Sequence, residues 1–393
     1  MKNSKQYLLR AVFLASILLI GNTSKAQVRT GAERMEEFLP LLSGKRIGIV
    51  ANNTSIIRNT DLVDSLLSLN VNVKKIFSPE HGYKGNYGAG VKLGNDSISG
   101  LKIVSLYGEH RRPAREDMED LDLVVFDIQD VGVRFYTYIS TMTYVMEECA
   151  RYNIPFLVLD RPNPNAFYVD GPVLDTAYSS FVGLHPVPVV YGMTIAEYAW
   201  MINEEGWLKD GLKCDLSWVT CKNWDHRKYY ELPVKPSPNL PNMTSVLLYP
   251  SLCFFEGTKV SLGRGTDFPF QVYGHPEYKT TDFSYTPRSI PGASANPKYL
   301  GEECFGVDLT SLPNSFFWDN SGIILYWLID AYEQLENTDD FFTGYFVKLV
   351  GNEKMQEEIE NGTSANVIRA GWKKEIDAFK TIRKKYLLYK DFE

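Results

Sequence analysis

Histidine and cysteine are scarce, five of each in 393 residues. No HExxH pattern occurs, no second histidine stands at ligand spacing from His81, and no cysteine pair has the spacing of a zinc knuckle or a disulfide framework. A metal centre is therefore not expected. Cys214 and Cys221 could at most close a small loop, and Cys149 falls in a helical pattern that reads as a buried thiol. Basic residues are in deficit, 41 Lys and Arg against 48 Asp and Glu, for a net charge of −7. That balance argues against nucleic acid and anionic membrane surfaces as partners. No Gly-x-Gly-x-x-Gly follows the first strand-like run, where Ala51-Asn52-Asn53-Thr54 stands instead, so nucleotide binding is disfavoured. Internal repeats and low-complexity segments are absent, and so is an apolar run of the ~20 residues that a permanent membrane span takes.

The apolar run that does occur, Ala11 to Ile20, is short. Lys2, Lys5 and Arg10 precede it, and the small-x-small triplet Ser24-Lys25-Ala26 follows, before Gln27. This is the order of a secretory signal peptide. Residues 1–26 are read as a leader, and the mature protein as exported, periplasmic or extracellular, without a stable membrane anchor. Losing the leader removes four basic residues and no acid, which takes the net charge to −11. The 367 residues left exceed what one core usually holds, and 44% hydrophobic composition can fill two.

Strand-like and helical patterns alternate through the first half. Arg46–Ala51, Val73–Phe77, Ile103–Leu106, Leu121–Asp127 and Ile154–Asp160 read as strands, and Asp61–Leu69 and Tyr138–Tyr152 as helices. Such alternation means a parallel sheet with right-handed crossovers. The expected fold is α/β: a Rossmann-like N-terminal domain over residues 27–178 and a mixed α/β C-terminal domain over 179–393, with a cleft at their junction. In the second domain, Met193–Glu205 and Ser321–Leu335 read as helices and Lys213–Cys221 as a strand. Leu232–Pro313 is rich in Pro and Gly and longer than ordinary loops, as expected of a segment that lines a site.

Four of the strand-like runs break off into polar residues. They end in Asn52-Asn53-Thr54, in Ser78-Pro79-Glu80-His81-Gly82, in Asp127-Ile128-Gln129-Asp130 and in Asp160-Arg161-Pro162-Asn163. In a parallel α/β sheet these ends share one edge, where ligands bind. Amide, carboxylate, imidazole and guanidinium groups are thus expected to converge there.

The runs Ser78-Pro79-Glu80-His81-Gly82, Phe126–Tyr138 and Leu159-Asp160-Arg161-Pro162-Asn163-Pro164 resemble a family long catalogued as a domain of unknown function. Pro236-Ser237-Pro238-Asn239-Leu240-Pro241, Phe255-Glu256-Gly257-Thr258 and Gly263-Arg264-Gly265-Thr266 extend the resemblance over nearly all of the mature chain. Characterised members are NamZ-type exo-β-N-acetylmuramidases. The resemblance implies a cofactor-free glycoside hydrolase that releases N-acetylmuramic acid from the non-reducing end of peptidoglycan-derived muropeptides or disaccharides.

Each candidate residue has its own chemistry. Glu80 is the expected general acid, because glycoside cleavage needs a protonated carboxyl group at the leaving oxygen. Pro79 restrains its backbone and Gly82 lets the loop turn. His81 would orient Glu80 or contact the sugar. Asp127 and Asp130 would steady the oxocarbenium-like transition state or activate water; alternatively, Asp127 pairs with Arg161 and Asp130 caps a turn. Muramic acid differs from glucosamine by a lactyl carboxylate, which a guanidinium fork suits, so Arg134, Arg161 and Arg264 are candidates to read it. Asn52, Asn53, Gln129, Asn163 and Asn239 suit sugar hydroxyls, Tyr136 a stacking wall, and Glu256 is a second carboxylate. Two rival readings remain: a periplasmic binding protein for amino-sugar or muropeptide ligands, and a metal-dependent amidase.

Overall fold

The computed structural model describes residues 27–87, 96–98, 100–278, 282–335 and 339–393. The expected leader and the later part of the glycine-rich loop after Gly82 lie outside the described residues.

The main sheet has seven strands: β1 (Ile47–Ala51), β2 (Val73–Ser78), β3 (Asp96–Ile98), β4 (Leu101–Ser105), β5 (Leu123–Asp127), β6 (Phe156–Leu159) and β7 (Leu216–Val219). Their spatial order is β3-β4-β2-β1-β5-β6-β7, parallel throughout except for the antiparallel edge pair β3/β4. From β1 the chain steps outward through β2 and β4, then crosses back to β5 and steps outward the other way. This is the doubly wound order, with its switch point between β1 and β5. The central strands β1, β5 and β6 are short, fully buried, largely apolar runs because both faces are covered. Along β5, Val124 and Phe126 enter the larger core, while Leu123 and Val125 enter the smaller one on the opposite face.

The Lys213–Cys221 strand, expected in the second domain, instead completes the first sheet as β7, so residues on both sides of position 178 build that sheet. The strand Leu216–Val219 lies between Cys214 and Cys221, which are not bonded to each other. All five cysteines are free, buried thiols.

The C-terminal half adds a small antiparallel sheet of β8 (Val272–His275), β9 (Ser284–Tyr285) and β10 (Cys304–Asp308). It also adds the helices Met243–Leu252, Tyr326–Gln334, Phe346–Val350, Lys354–Glu360 and Ala365–Arg383. The helix expected from Ser321 begins only at Tyr326. The larger core runs without a break from Val50 and Phe126 to Phe379 and Tyr386, so the tail helices share one core with the parallel sheet. Among the described residues, no helix is long and apolar enough to cross a membrane.

A buried polar network fastens the end of the chain. Arg383, 1% exposed, donates to the Gly192 carbonyl and forks onto Asp391 at 2.7 and 2.8 Å. Glu197 accepts from the Leu388 amide at 2.7 Å, and Tyr389 donates to Asp160 at 2.5 Å. His226 lies between carboxylates, Nε2 at 2.9 Å from Glu197 and Nδ1 at 3.3 Å from Asp391. Burial works against charging this ring, but the two carboxylates outweigh it and raise its pKa. Breaking a buried charge pair typically costs about 3–5 kcal/mol. Arg383→Ala is therefore expected to lower unfolding free energy by that amount in urea titrations. A raised histidine pKa contributes stability below its unfolded value of about 6.5 and loses it as pH rises through the folded value. The midpoint in urea should fall over that rise, and His226→Gln should flatten the fall.

Candidate active site

At the C-terminal edge of the sheet lies a cleft of about 480 Å³. The loop after β2 contributes Glu80 and His81, and the segment after β5 contributes Phe135, Tyr136, Thr137 and Tyr138. The C-terminal half supplies Ser237, Asn239, Tyr249, Glu256, Arg264, Phe270, Tyr345 and Lys348. Tyr107, Arg111 and Phe181 close the remaining side. Six of the expected site residues thus meet here: Glu80, His81, Tyr136, Asn239, Glu256 and Arg264.

Glu80 is half-buried, and Thr137 Oγ1 donates to its Oε2 at 3.1 Å. Thr137 is the N-cap of the helix Tyr138–Arg151, but its side chain makes no capping bond to that helix. Its hydroxyl serves the carboxylate instead. His81 and Gly82 both have left-handed backbones (φ 71° and 74°), which turn the chain sharply just after Glu80. That conformation is uncommon for a non-glycine residue. The His81 ring helps to hold it: Nδ1 lies 2.7 Å from the Tyr87 carbonyl. A carbonyl only accepts, so Nδ1 carries the proton. Burial lowers the pKa of this imidazole against the raising influence of Glu80. The neutral ring therefore keeps its lone pair on Nε2.

On the facing wall Arg264 Nε donates to Glu256 Oε1 at 2.8 Å, and the guanidinium sits 4.9 Å from the centre of the Phe270 ring. Burial opposes the Arg264 charge and Glu256 restores it, with the net effect of raising its pKa. Between the walls is an aromatic floor. Tyr136 meets Tyr138 edge-on at 4.7 Å and Tyr249 at 5.8 Å, and Tyr136 and Tyr138 both donate to the Pro236 carbonyl. Such a floor suits the apolar face of a sugar ring, with the polar ends of the tyrosines held out of its way.

The other expected residues are occupied elsewhere. Asp127 and Arg161 form a buried bidentate pair at 2.6 and 2.8 Å, and Arg161 also donates to the Ile56 carbonyl. Asp130 accepts from Gly132 N at 2.6 Å and from the Tyr191 hydroxyl. Burial pushes its pKa up to about 6, off the cleft. The structural alternative for both aspartates is the geometry found. Gln129 donates to the Asp130 and Pro162 carbonyls, and Asn163 to that of Met193 while accepting from Asn165 N. Asn52 is completely buried; its Oδ1 accepts from Thr54, and its Nδ2 donates to the hydroxyl of Tyr138. Asn53 donates to the Lys235 carbonyl and lines a neighbouring cavity.

Arg134 is the clearest departure. It is 0% exposed and donates to the carbonyls of Pro172, Val187, Leu349 and Val350 at 2.7–2.8 Å. The remaining donor, Nε, is buried without a partner among the described residues, so none faces a ligand. Arg134→Ala leaves four carbonyls unanswered and should cost at least about 3 kcal/mol of stability, since bonds to charged groups contribute about 1.5–3 kcal/mol each. Chemical denaturation should report that loss.

Thr137, Arg111, Phe181, Tyr345 and Lys348 were not among the expected residues. Thr137 lies between Tyr136 and Tyr138 in the Phe126–Tyr138 run. Arg111 packs over Phe181 at 4.4 Å, and Lys348 rides on the helix Phe346–Val350. Neither has a local motif, and neither pairs with a carboxylate among the described residues. No three His, Cys, Asp or Glu side chains group as a metal site among the described residues.

A doubly wound sheet with a carboxylate on a strand-end loop, facing an aromatic floor and an Arg–Glu wall, is the framework of a sugar-processing α/β enzyme. The family models of exo-β-N-acetylmuramidase NamZ match the chain, the N-terminal model over residues 47–244 and the C-terminal model over 247–389. The chain belongs to this family, the one its motif runs resemble. It is 39% identical to the peptidoglycan β-N-acetylmuramidase NamZ of Bacillus subtilis, over 93% of this chain and 92% of that protein. Two crystal structures of DUF1343-family proteins from Bacteroides fragilis share the fold. One is 49% identical with a TM-score of 0.87, covering 93% of this chain and 100% of that one. The other is 29% identical with a TM-score of 0.76, covering 92% and 99%.

Proposed function

We propose that the protein is an exo-acting β-N-acetylmuramidase that removes N-acetylmuramic acid from the non-reducing end of peptidoglycan fragments, with Glu80 as the general acid. The observation that carries this reading is the position of Glu80. It projects from the end of β2 into a cleft with an aromatic floor, in a chain that belongs to the NamZ family. Thr137 holds one carboxyl oxygen, and the His81 turn fixes the loop. Proton delivery to the glycosidic oxygen lets the leaving sugar depart as an alcohol while positive charge grows on the ring. Glu256, steadied by Arg264, is the second carboxylate of the cleft and the group assigned to that developing charge. The leader-like pattern of residues 1–26 supports action outside the cytoplasm, where such fragments arise.

A positioned general acid is typically worth about 10²–10⁴ in rate. Glu80→Gln should lose that much turnover on an N-acetylmuramic acid β-glycoside with a poor leaving group, and should regain part of it when the leaving group is good. Near-normal activity of the folded variant on the poor leaving group removes Glu80 from the role.

The lactyl carboxylate is the handle that separates a muramidase from a general hexosaminidase. With Arg134 withdrawn, Arg264 remains, joined by Arg111 and Lys348 on the cleft wall. A charge-assisted bond contributes roughly 1.5–3 kcal/mol, or about ten- to a hundredfold in binding. The N-acetylglucosamine glycoside should therefore be a poor substrate. Arg264→Ala should narrow the ratio of kcat/KM between the two glycosides. An unchanged ratio there, with a narrowed one in Arg111→Ala, moves the carboxylate to the other wall.

A further inference from the structure

Beside the cleft lies a second cavity of about 450 Å³, and three loops divide their residues between the two. The loop after β2 turns Glu80 and His81 to the cleft, and Lys84 to Asn86 to the second cavity. The Pro236–Pro241 run turns Ser237 one way and Pro238 and Pro241 the other. The third loop gives Arg264 to the cleft and Thr266 to the second cavity. Asn239 lines both, and its Nδ2 is anchored at 3.0 Å to the carbonyl of Ala293 on the far wall. The opposite end of the cleft, at Arg111, Phe181 and Lys348, shares no loop with this cavity. The site therefore continues in one direction from the chemistry.

On the reading of the enzyme as an exo-muramidase, which this inference deepens, a single sugar lies on the non-reducing side of the broken bond. All remaining glycan lies on the other. We propose that the second cavity is the leaving-group subsite, and that Lys84 and Lys235 there read the carboxylate of the next muramic acid along the glycan. In an alternating polymer that carboxylate sits on the second sugar past the scissile bond. The charges fit. Lys84 and Lys235 have no carboxylate partner among the described residues, and the one acid of the lining, Asp267, is paired with Arg288 at 2.5 Å. The Lys235 carbonyl accepts from Asn53 Nδ2 at 3.1 Å, which anchors its main chain beside the cavity. Pro238, Pro241, Pro269 and Pro291 stiffen the walls, so an extended glycan is received without ordering a loop.

The test compares kcat/KM on three substrates: an aryl β-N-acetylmuraminide, the disaccharide of N-acetylmuramic acid and N-acetylglucosamine, and the tetrasaccharide of two such units. The tetrasaccharide should be cleaved at least about tenfold better than the disaccharide, the worth of one charge-assisted bond. Capping its second lactyl carboxylate as an amide should remove that advantage. The exposed double variant Lys84→Glu, Lys235→Glu should bring the tetrasaccharide down to the disaccharide level while leaving the aryl glycoside unchanged. A tetrasaccharide no better than the disaccharide, an advantage that survives amidation, or an equal loss on all three substrates overturns the subsite. Absence of turnover on the aryl glycoside by the native protein would instead sink the muramidase reading beneath it.

Discussion

Arg134 is fully buried, and its guanidinium donates to four main-chain carbonyls drawn from two distant parts of the chain. Two of them, Leu349 and Val350, belong to the last turn of the helix Phe346–Val350, where carbonyls have no partner within the helix. The arginine completes that helix end and in doing so fixes where the helix lies. Gly351 makes the approach possible: with φ 83°, it ends the helix in the left-handed region, and a Cβ there would meet Leu174 at 2.6 Å and Arg134 at 3.1 Å. Tyr345 and Lys348, on the same short element, form one wall of the cleft, while Phe135 to Tyr138, next in sequence to Arg134, form its floor. One guanidinium thus ties the wall to the segment that leads into the floor. A buried charge without a counter-charge is costly, and the four carbonyl dipoles are what make it tolerable.

The switch point of the sheet presents the opposite case. In a doubly wound topology the crevice outside the strands at that point is the expected ligand site. Here Asn52, Ser55, Gln129 and the Asp127–Arg161 pair fill it. Ser55 donates to the Asp127 carbonyl, Thr54 Oγ1 accepts from Gln129 N, and Asn52 reaches the hydroxyl of Tyr138. With the crevice plugged, the open space lies toward β2 and the loops of the C-terminal half. The plug still shapes the site: through Asn52 it holds a tyrosine of the cleft floor.

This contrast explains what the sequence could and could not disclose. Strands such as Ile47–Ala51 and Leu123–Asp127 are legible because a doubly covered strand must be an apolar run. The edge where chemistry collects follows from the parallel order. Glu80 is legible too, since a Pro before it and a His-Gly turn after it place a carboxylate on a tight loop at a strand end. Asp127, Asp130, Arg134 and Arg161 look just as reactive on paper. What decides their fate is a partner 34 residues away for Asp127 and 215 residues away for Arg134, and periodicity carries no such information. Lys348 and Arg111 fail in the other direction: nothing nearby marks them, and only the packing of the tail and of the Phe181 loop brings them to the cleft. The placement of the Lys213–Cys221 strand in the second domain has the same origin, because alternation identifies a strand and not its neighbour.

Electrostatics links these local facts to the ligand. The chain carries a net charge of −7, and an anionic sugar gains nothing from its long-range field. Charges further apart than about 8–10 Å are largely screened in physiological salt, so recognition rests on what lies inside the cleft. There Glu256 and Arg264 answer each other, and His81 is held neutral by burial. Arg111 and Lys348 contribute positive charge on the walls beyond that pair. An acidic protein can in this way favour a carboxylate-bearing sugar only where cations stand close enough to escape screening, while the rest of the surface stays indifferent.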